Sequence, residues 1–293
     1  MRIIDLHYEL LNPNDYSFEE GKKFIERVAR TCYKSEHLIQ DGSAERMYKN
    51  LVSSEHYAML EHYTVYLCVS QINSEYETFH KYALNKHSKV SYYKDNTLYI
   101  TTNLRVIIEN GWDDDLKYAL EQPTEYHEKR YTVKFYANIG VSREYNRHRV
   151  NSIAESSTRY CNYSKDKFGN EITVVKPSWY GDESSVYSFK DICAMIANDS
   201  DDVFNPIDYW YFSMMACEYS YLNLVRLGQT AQEARGVLPL DTATELVHTA
   251  FSSDWSHFFD LRTSIIAKTG KPHPQAYELA DPLYKEFVER KYI

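Results

Sequence analysis

Cysteine is scarce and scattered. Cys32, Cys68, Cys161, Cys193 and Cys217 are the only five in 293 residues, and no two form a C-x-x-C pair. A disulfide framework and a paired-thiol redox motif are therefore excluded, and a reduced, cytoplasmic protein is expected. Long apolar runs are missing as well. No stretch approaches the roughly 18–20 residues that cross a bilayer, and Met1-Arg2-Ile3-Ile4-Asp5 lacks a signal-peptide pattern. Positive charge is in deficit, with 33 Lys and Arg against 42 Asp and Glu. A general nucleic-acid binder would present a basic face, so that class is excluded. A small anionic ligand is not, because a local cluster sets its own field. Metal-ligand spacing is absent too: His56, His62, His80 and His87 form no H-E-x-x-H or comparable pattern, and no metal is expected.

What the sequence does have is one cationic stretch. Arg143-Glu144-Tyr145-Asn146-Arg147-His148-Arg149 is followed, after Val150, by Asn151 to Tyr160, which adds Glu155, Ser156, Ser157, Thr158 and Arg159. No glycine or proline interrupts it before Gly169, so Ser142 to about Ile153 reads as a helix opening into a polar turn. On a helix, residues two apart point about 200° away from each other, so Arg147 and Arg149 address different ligands. Arg143 and Arg147 share a face, and Arg159 can swing back toward it. Guanidinium forks suit phosphate and carboxylate oxygens, with hydroxyls and backbone N–H groups filling the remaining acceptor sites. The competing reading is a solvated helix face paired with Glu144 and Glu155. Cys161 beside it has no activator and reads as a bystander.

Along the chain, Ile3 to Leu6 is a strand candidate. Ser17-Phe18-Glu19-Glu20 is a capping-box pattern that opens a helix to Tyr33, and a second helix runs from Ser43 to about Ser53. From Tyr63 to Ser70 the residues are β-branched and aromatic, giving a strand on which His62 and Thr64 face one side. Ser74 to Lys94 reads as a variable excursion. Thr97 to Thr101 and Tyr131 to Ile139 read as strands, Asn103 to Glu109 as a short helix, and Gly140 as the turn into the arginine helix. Asp166 to Asn170 is a turn, Ile172 to Val175 a strand, Ser184 to Ser200 a weak helix, and Asp208 to Leu227 a strongly aromatic one. Gln232 to Pro239 leads into another helix, followed by one from Asp254 to Lys268.

Arg147-His148-Arg149, seven residues, Ser157 and Arg159-Tyr160 resemble the RHR and S-x-R-Y signature of the flavin-dependent thymidylate synthases. Glu61-His62 resembles that family's F-E-H, with Leu60 in place of Phe. Ala234-Arg235-Gly236-Val237-Leu238-Pro239 resembles A-R-x-V-L-P, and Leu261-Arg262 resembles its later L-R. His273-Pro274-Gln275-Ala276 resembles its H-A-Q after an insertion.

The resemblance implies an α+β fold, a mixed or antiparallel sheet flanked by helices in a single domain over 1–293, with insertions near 74–94 and 268–273. It also implies a homotetramer. The implied reaction converts dUMP to dTMP with methylenetetrahydrofolate as carbon donor, FAD as redox carrier and NADPH as reductant. By position, Arg147, Ser157, Arg159 and Arg235 hold the nucleotide, lined by Glu144, Glu155, Ser156 and Thr158. Arg262 meets the pyrimidine ring. His62, Thr64, Arg147, His148, Arg149, Glu155 and His257 face FAD. Outside the resemblance, Arg262 reads as a helix arginine paired with Asp260 or an exposed carboxylate, and His273 as a loop histidine. The chain departs from the family pattern at Glu144 (Gln in the pattern), Ala154, Phe251 and His257. A related pyrimidine-nucleotide (hydroxy)methylating flavoenzyme and a non-catalytic nucleotide-binding descendant are the alternatives.

Overall fold

A computed structural model describes residues 1–73, 75–92, 96–181 and 183–293. The chain opens with β1 (Arg2–Ile4) and β2 (His7–Leu10), so the single strand expected over Ile3–Leu6 is two strands broken at Asp5-Leu6. α1 (Phe18–Tyr33) starts where the Ser17 side chain accepts the Glu20 N–H, as the capping pattern predicts, and stops at Lys34 in the left-handed region. α2 (Ser43–Ser53) also keeps its expected bounds. Within α1, Gly21 lies against a ring: a Cβ there would sit 2.4 Å from Tyr63. Only glycine allows this approach.

A 3-10 turn over Tyr57–His62 precedes β3 (Thr64–Val69), so His62 and Thr64 do not share a strand face as the sequence suggested. The excursion expected over Ser74 to Lys94 has ends that lie outside the described residues; between them it forms a 3-10 segment, Tyr76–Leu84, and β4 (Lys89–Tyr92). β5 (Leu98–Asn103), α3 (Leu104–Glu109) and β6 (Ala119–Leu120) follow. These strands form an antiparallel sheet in the order β4-β5-β3-β6.

β7 (Arg130–Asn138) runs into α4 (Ile139–Tyr145), then β8 (Ser152–Glu155) and β9 (Thr173–Val175). The helix expected over 142–153 therefore ends at Tyr145. α5 (Phe189–Ala197), α6 (Pro206–Arg226) and α7 (Ala231–Ala234) lead to β10 (Ala243–Phe251), where a helix was expected after Pro239. The reason is burial on both faces: Leu246 to Phe251 is buried without interruption, so no alternation marks it as a strand. α8 (Ser252–Arg262) stops six residues short of the expected Lys268, and α9 (Pro274–Glu289) closes the fold.

The central sheet has the order β2-β7-β10-β8, all antiparallel, while β1 and β9 form a separate parallel pair. Val133, Phe135, Leu246 and Ala250 face α8 and α9 through Trp255, Phe258 and Leu283. Val247 and Ala154 face α1 through Phe24 and Val28. The fold is thus α+β, antiparallel sheets flanked by helices. No helix among the described residues is long and apolar enough to cross a membrane.

Candidate functional site

α4 begins where the Asn138 side chain accepts the Val141 N–H, 2.8 Å, and ends at Asn146. Turns carry the chain onward: the His148 N–H donates to Tyr145 O (3.1 Å) and the Asn151 N–H to His148 O (3.0 Å). On this turn Arg147 and Arg149 are exposed and His148 between them is buried. The two arginines are separated by a turn rather than by helix geometry.

His148 is engaged from α8. Arg262 Nε donates to His148 Nε2 (3.0 Å), its Nη1 to the Glu144 carboxylate (3.1 Å) and its Nη2 to Glu144 O (2.8 Å). To accept that bond, Nε2 must carry no proton. Burial, then the Arg262 and His257 charges, push the His148 pKa down to about 4, consistent with a neutral ring. Arg262 is half-buried, and burial lowers its pKa while Glu144 opposes that. Its partner is Glu144. Of the two partners the sequence offered, Asp260 pairs with Lys268, and the carboxylate that meets Arg262 is the partly exposed Glu144. Glu144 thus stands beside a donor, where a carboxylate belongs.

A second group forms at the far end of β8. The Ser156 N–H donates to Glu245 O and the Ser157 N–H to Cys32 O, which fixes the Ser-Ser-Thr turn against β10 and α1. Arg159 Nε donates to Gln232 of α7 (3.1 Å), and Arg235 Nη1 reaches Thr158 Oγ1 (3.4 Å). Both guanidinium groups are exposed. Glu155 accepts from Thr244 Oγ1 (3.0 Å) and from Asn146 Nδ2 (2.9 Å), and the latter bond joins this turn to the arginine turn. The Cys161 thiol is buried and its pKa is raised by that burial, so no thiolate is offered. A cavity of about 570 Å³ opens beside Thr244 and Glu245, walled by Lys34, His37, Tyr136 and Lys167. Arg147, Arg149, Arg159, Arg235 and Arg262 do not line it.

His62 and Thr64 lie in the interior, 1% and 3% exposed. His62 Nδ1 is 2.8 Å from Thr249 Oγ1, itself 2.8 Å from Thr132 Oγ1. On the other face of β10, His248 Nδ1 accepts from Asn151 Nδ2 (3.0 Å). Arg130, Asn151, Thr249 and His248 were not singled out from sequence. The one signal was a His-Thr pair inside the otherwise apolar run Leu246 to Phe251. His257 is exposed on α8, its ring centroid 6.0 Å from that of His148. Ala154 is buried against α1, Phe251 is buried beneath Arg130, and His273 is exposed at the start of α9 without a side-chain capping bond.

The family model described as thymidylate synthase complementing protein matches residues 116–290, well over half of the chain. The chain belongs to that family. The match takes in the arginine turn, the Ser-Ser-Thr turn, Arg235 and Arg262, whereas α1, β3 and Glu61-His62 precede it. None of the curated proteins compared matches the chain. Two solved structures of the UMP/dUMP methylase PolB from Streptomyces cacaoi are among those that match the chain. The one bound with 5-Br dUMP shares 16% identity, covers 99% of this chain and 93% of its own, and has a TM-score of 0.43. The one bound with 5-Br UMP shares 15%, covers 98% and 91%, and scores 0.44.

Proposed function

We propose that this protein methylates a pyrimidine nucleotide, converting dUMP to dTMP with methylenetetrahydrofolate, FAD and NADPH. The observation that carries the reading is the meeting of Thr158 and Arg159 with Gln232 and Arg235, brought from distant parts of the chain to one exposed place. Two exposed guanidinium forks, each with N–H groups left over beyond its one bond, stand with the hydroxyls of Ser156, Ser157 and Thr158 and match a phosphate. The Asn146–Glu155 bond, which ties the strand leading into this turn to the arginine turn, supports reading the two groups as one site.

Arg262 is the catalytic group in this reading. Its guanidinium is oriented before any ligand arrives, and donors fixed in this way contribute about 3–4 kcal/mol where negative charge develops, here on the pyrimidine ring. Glu144 and neutral His148 hold it in place. FAD supplies the reducing equivalents when bound. Its pyrophosphate needs cations without internal partners, and Arg147 and Arg149 are exposed with no side-chain hydrogen bond or ion pair among the described residues. Those two are the side chains that would hold it, while His148, buried between them and bonded to Arg262, and His257 are assigned to the flavin by resemblance. His62 and Thr64 support that surface from within, and Glu155 braces both turns. Homotetrameric assembly and a cytoplasmic setting belong to the same reading by resemblance.

Glu144 favours one second reading. A carboxylate stands where the family pattern carries glutamine, so the enzyme could serve a related pyrimidine nucleotide or leave a hydroxymethyl group. The test is the absorbance spectrum of protein reconstituted with FAD, followed by NADPH oxidation with and without dUMP. A flavin band whose reduction responds to dUMP supports the proposal. A colourless protein indifferent to dUMP would overturn it in favour of a non-catalytic nucleotide binder.

A further inference from the structure

Arg130 opens β7 and is 4% exposed, yet no carboxylate among the described residues forms an ion pair with it. Glu61, the acid beside it, directs its carboxylate to Arg105 instead. Arg130 Nη1 donates to Glu61 O (3.0 Å) and Thr64 Oγ1 (3.3 Å), and Nη2 to Ser152 Oγ (2.9 Å). Its Nε is buried without a hydrogen-bond partner, and the guanidinium lies 5.4 Å from the centre of the Phe251 ring. A buried cation held only by neutral acceptors is a costly arrangement, and stability alone would be served by an apolar side chain of similar volume.

The acceptors explain the position. Glu61 and Thr64 flank His62, and Ser152 is the first residue of β8, directly after the arginine turn. Asn151, one residue earlier, is bonded to His248 of β10. The exit of the arginine turn is therefore held at two successive residues from two strands, while its entry is held by α4 and the Arg262–Glu144 bonds.

We propose that Arg130 is a positioning residue: its buried guanidinium fork fixes the exit of the Arg147–Asn151 turn and locks the Glu61–Thr64 turn against it, so that Arg147 and Arg149 project from a rigid support. Its bearing on nucleotide binding rests on the function proposed above; the locking of the two turns does not. The same charge, after burial, disfavours protonation of His62.

Arg130→Met, Arg130→Lys and Ser152→Ala, made in the full chain, test this by site-resolved amide hydrogen exchange, NMR titration of the His62 ring and dUMP titration. A hydrogen bond to a charged group is worth about tenfold or more in a local opening equilibrium. Arg130→Met should therefore speed exchange in both turns by at least about tenfold relative to the rest of the central sheet. It should also raise the His62 midpoint and weaken dUMP binding. Arg130→Lys keeps the charge but not the fork, so the His62 midpoint should stay low while exchange in the turns still rises. Ser152→Ala, which keeps the core charge and volume nearly unchanged, should loosen only residues 147–152 and weaken dUMP a few-fold. It carries the test if Arg130→Met does not fold. Wild-type exchange in both turns of the variants, or a uniform loss of protection across the sheet, would overturn the proposal. Looser turns in a protein whose wild type does not bind dUMP would leave the positioning role standing and remove the nucleotide reading.

Discussion

Lowering the pH from 7 to 5 should destabilise this protein through two histidines that the fold keeps neutral. His62 and His248 are 1% and 0% exposed. Burial is the main cause in both, reinforced by Arg130 at His62 and by His148 and His62 at His248, and it brings each pKa down to about 3. In the unfolded chain a histidine titrates near 6.5. Between those values the unfolded state takes up a proton that the folded state refuses, so stability is fully present above about 6.5 and is lost as the pH falls toward about 3. Integrating from pH 7 to 5 gives about 2 kcal/mol for each ring, or about 4 kcal/mol together. Against a typical total of about 5–15 kcal/mol that is a large fraction. Urea unfolding at pH 7, 6 and 5 measures the slope, to which His148 and carboxylates also contribute, so the comparison with His248→Gln is decisive. Glutamine can keep a bond to Asn151 without titrating. The variant should lose about 2 kcal/mol less than wild type over the same interval. An unchanged pH dependence would show that His248 does not sit neutral in the core, and the reasoning would fail.

Arg159→Ala should weaken dUMP binding by about tenfold or more while leaving FAD binding near wild type, since it removes a charge-assisted contact at one end of the site only; equal losses in parallel titrations would contradict the division of the two sites. Glu144→Gln should cost no more than about 1 kcal/mol of stability, because the Glu144–Arg262 pair is partly exposed and Arg262 keeps its bonds to His148 and the Glu144 carbonyl. A loss of several kcal/mol in denaturant would mean that the carboxylate alone holds the guanidinium. Gly21→Ala should destabilise by about 1–3 kcal/mol, as its Cβ would fall 2.4 Å from the Tyr63 ring; an unchanged midpoint of thermal unfolding would show that the ring can move aside.

Local signals told the truth where one face of an element met water. α1 keeps the bounds read from Ser17 and its apolar stripe, because cap and stripe lie within one segment. β10 failed for the opposite reason: Leu246 and Ala250 are buried on one side and Val247 on the other, so periodicity had nothing to distinguish. The arginine helix was read too long because nothing in Asn146 to Ser152 forbids helix. What ends it is the pairing of Ser152–Glu155 with Leu246–Thr249, a contact across roughly ninety residues. The candidate site divides in the same way. Arg147, Ser157, Arg159 and Arg235 stand out by type and spacing. The engagement of Arg262 by Glu144 and His148, and the burial of Arg130 beneath Glu61, depend on where α8 and β7 land.

The most direct test of the central claim is mass spectrometry of the nucleotide after incubating the purified protein with dUMP, methylenetetrahydrofolate, FAD and NADPH. The account predicts dTMP, carrying one methyl group whose carbon comes from the folate methylene and whose reduction comes from NADPH by way of FAD, formed only when FAD and NADPH are both present. Unchanged dUMP under those conditions, with flavin demonstrably bound, would contradict it.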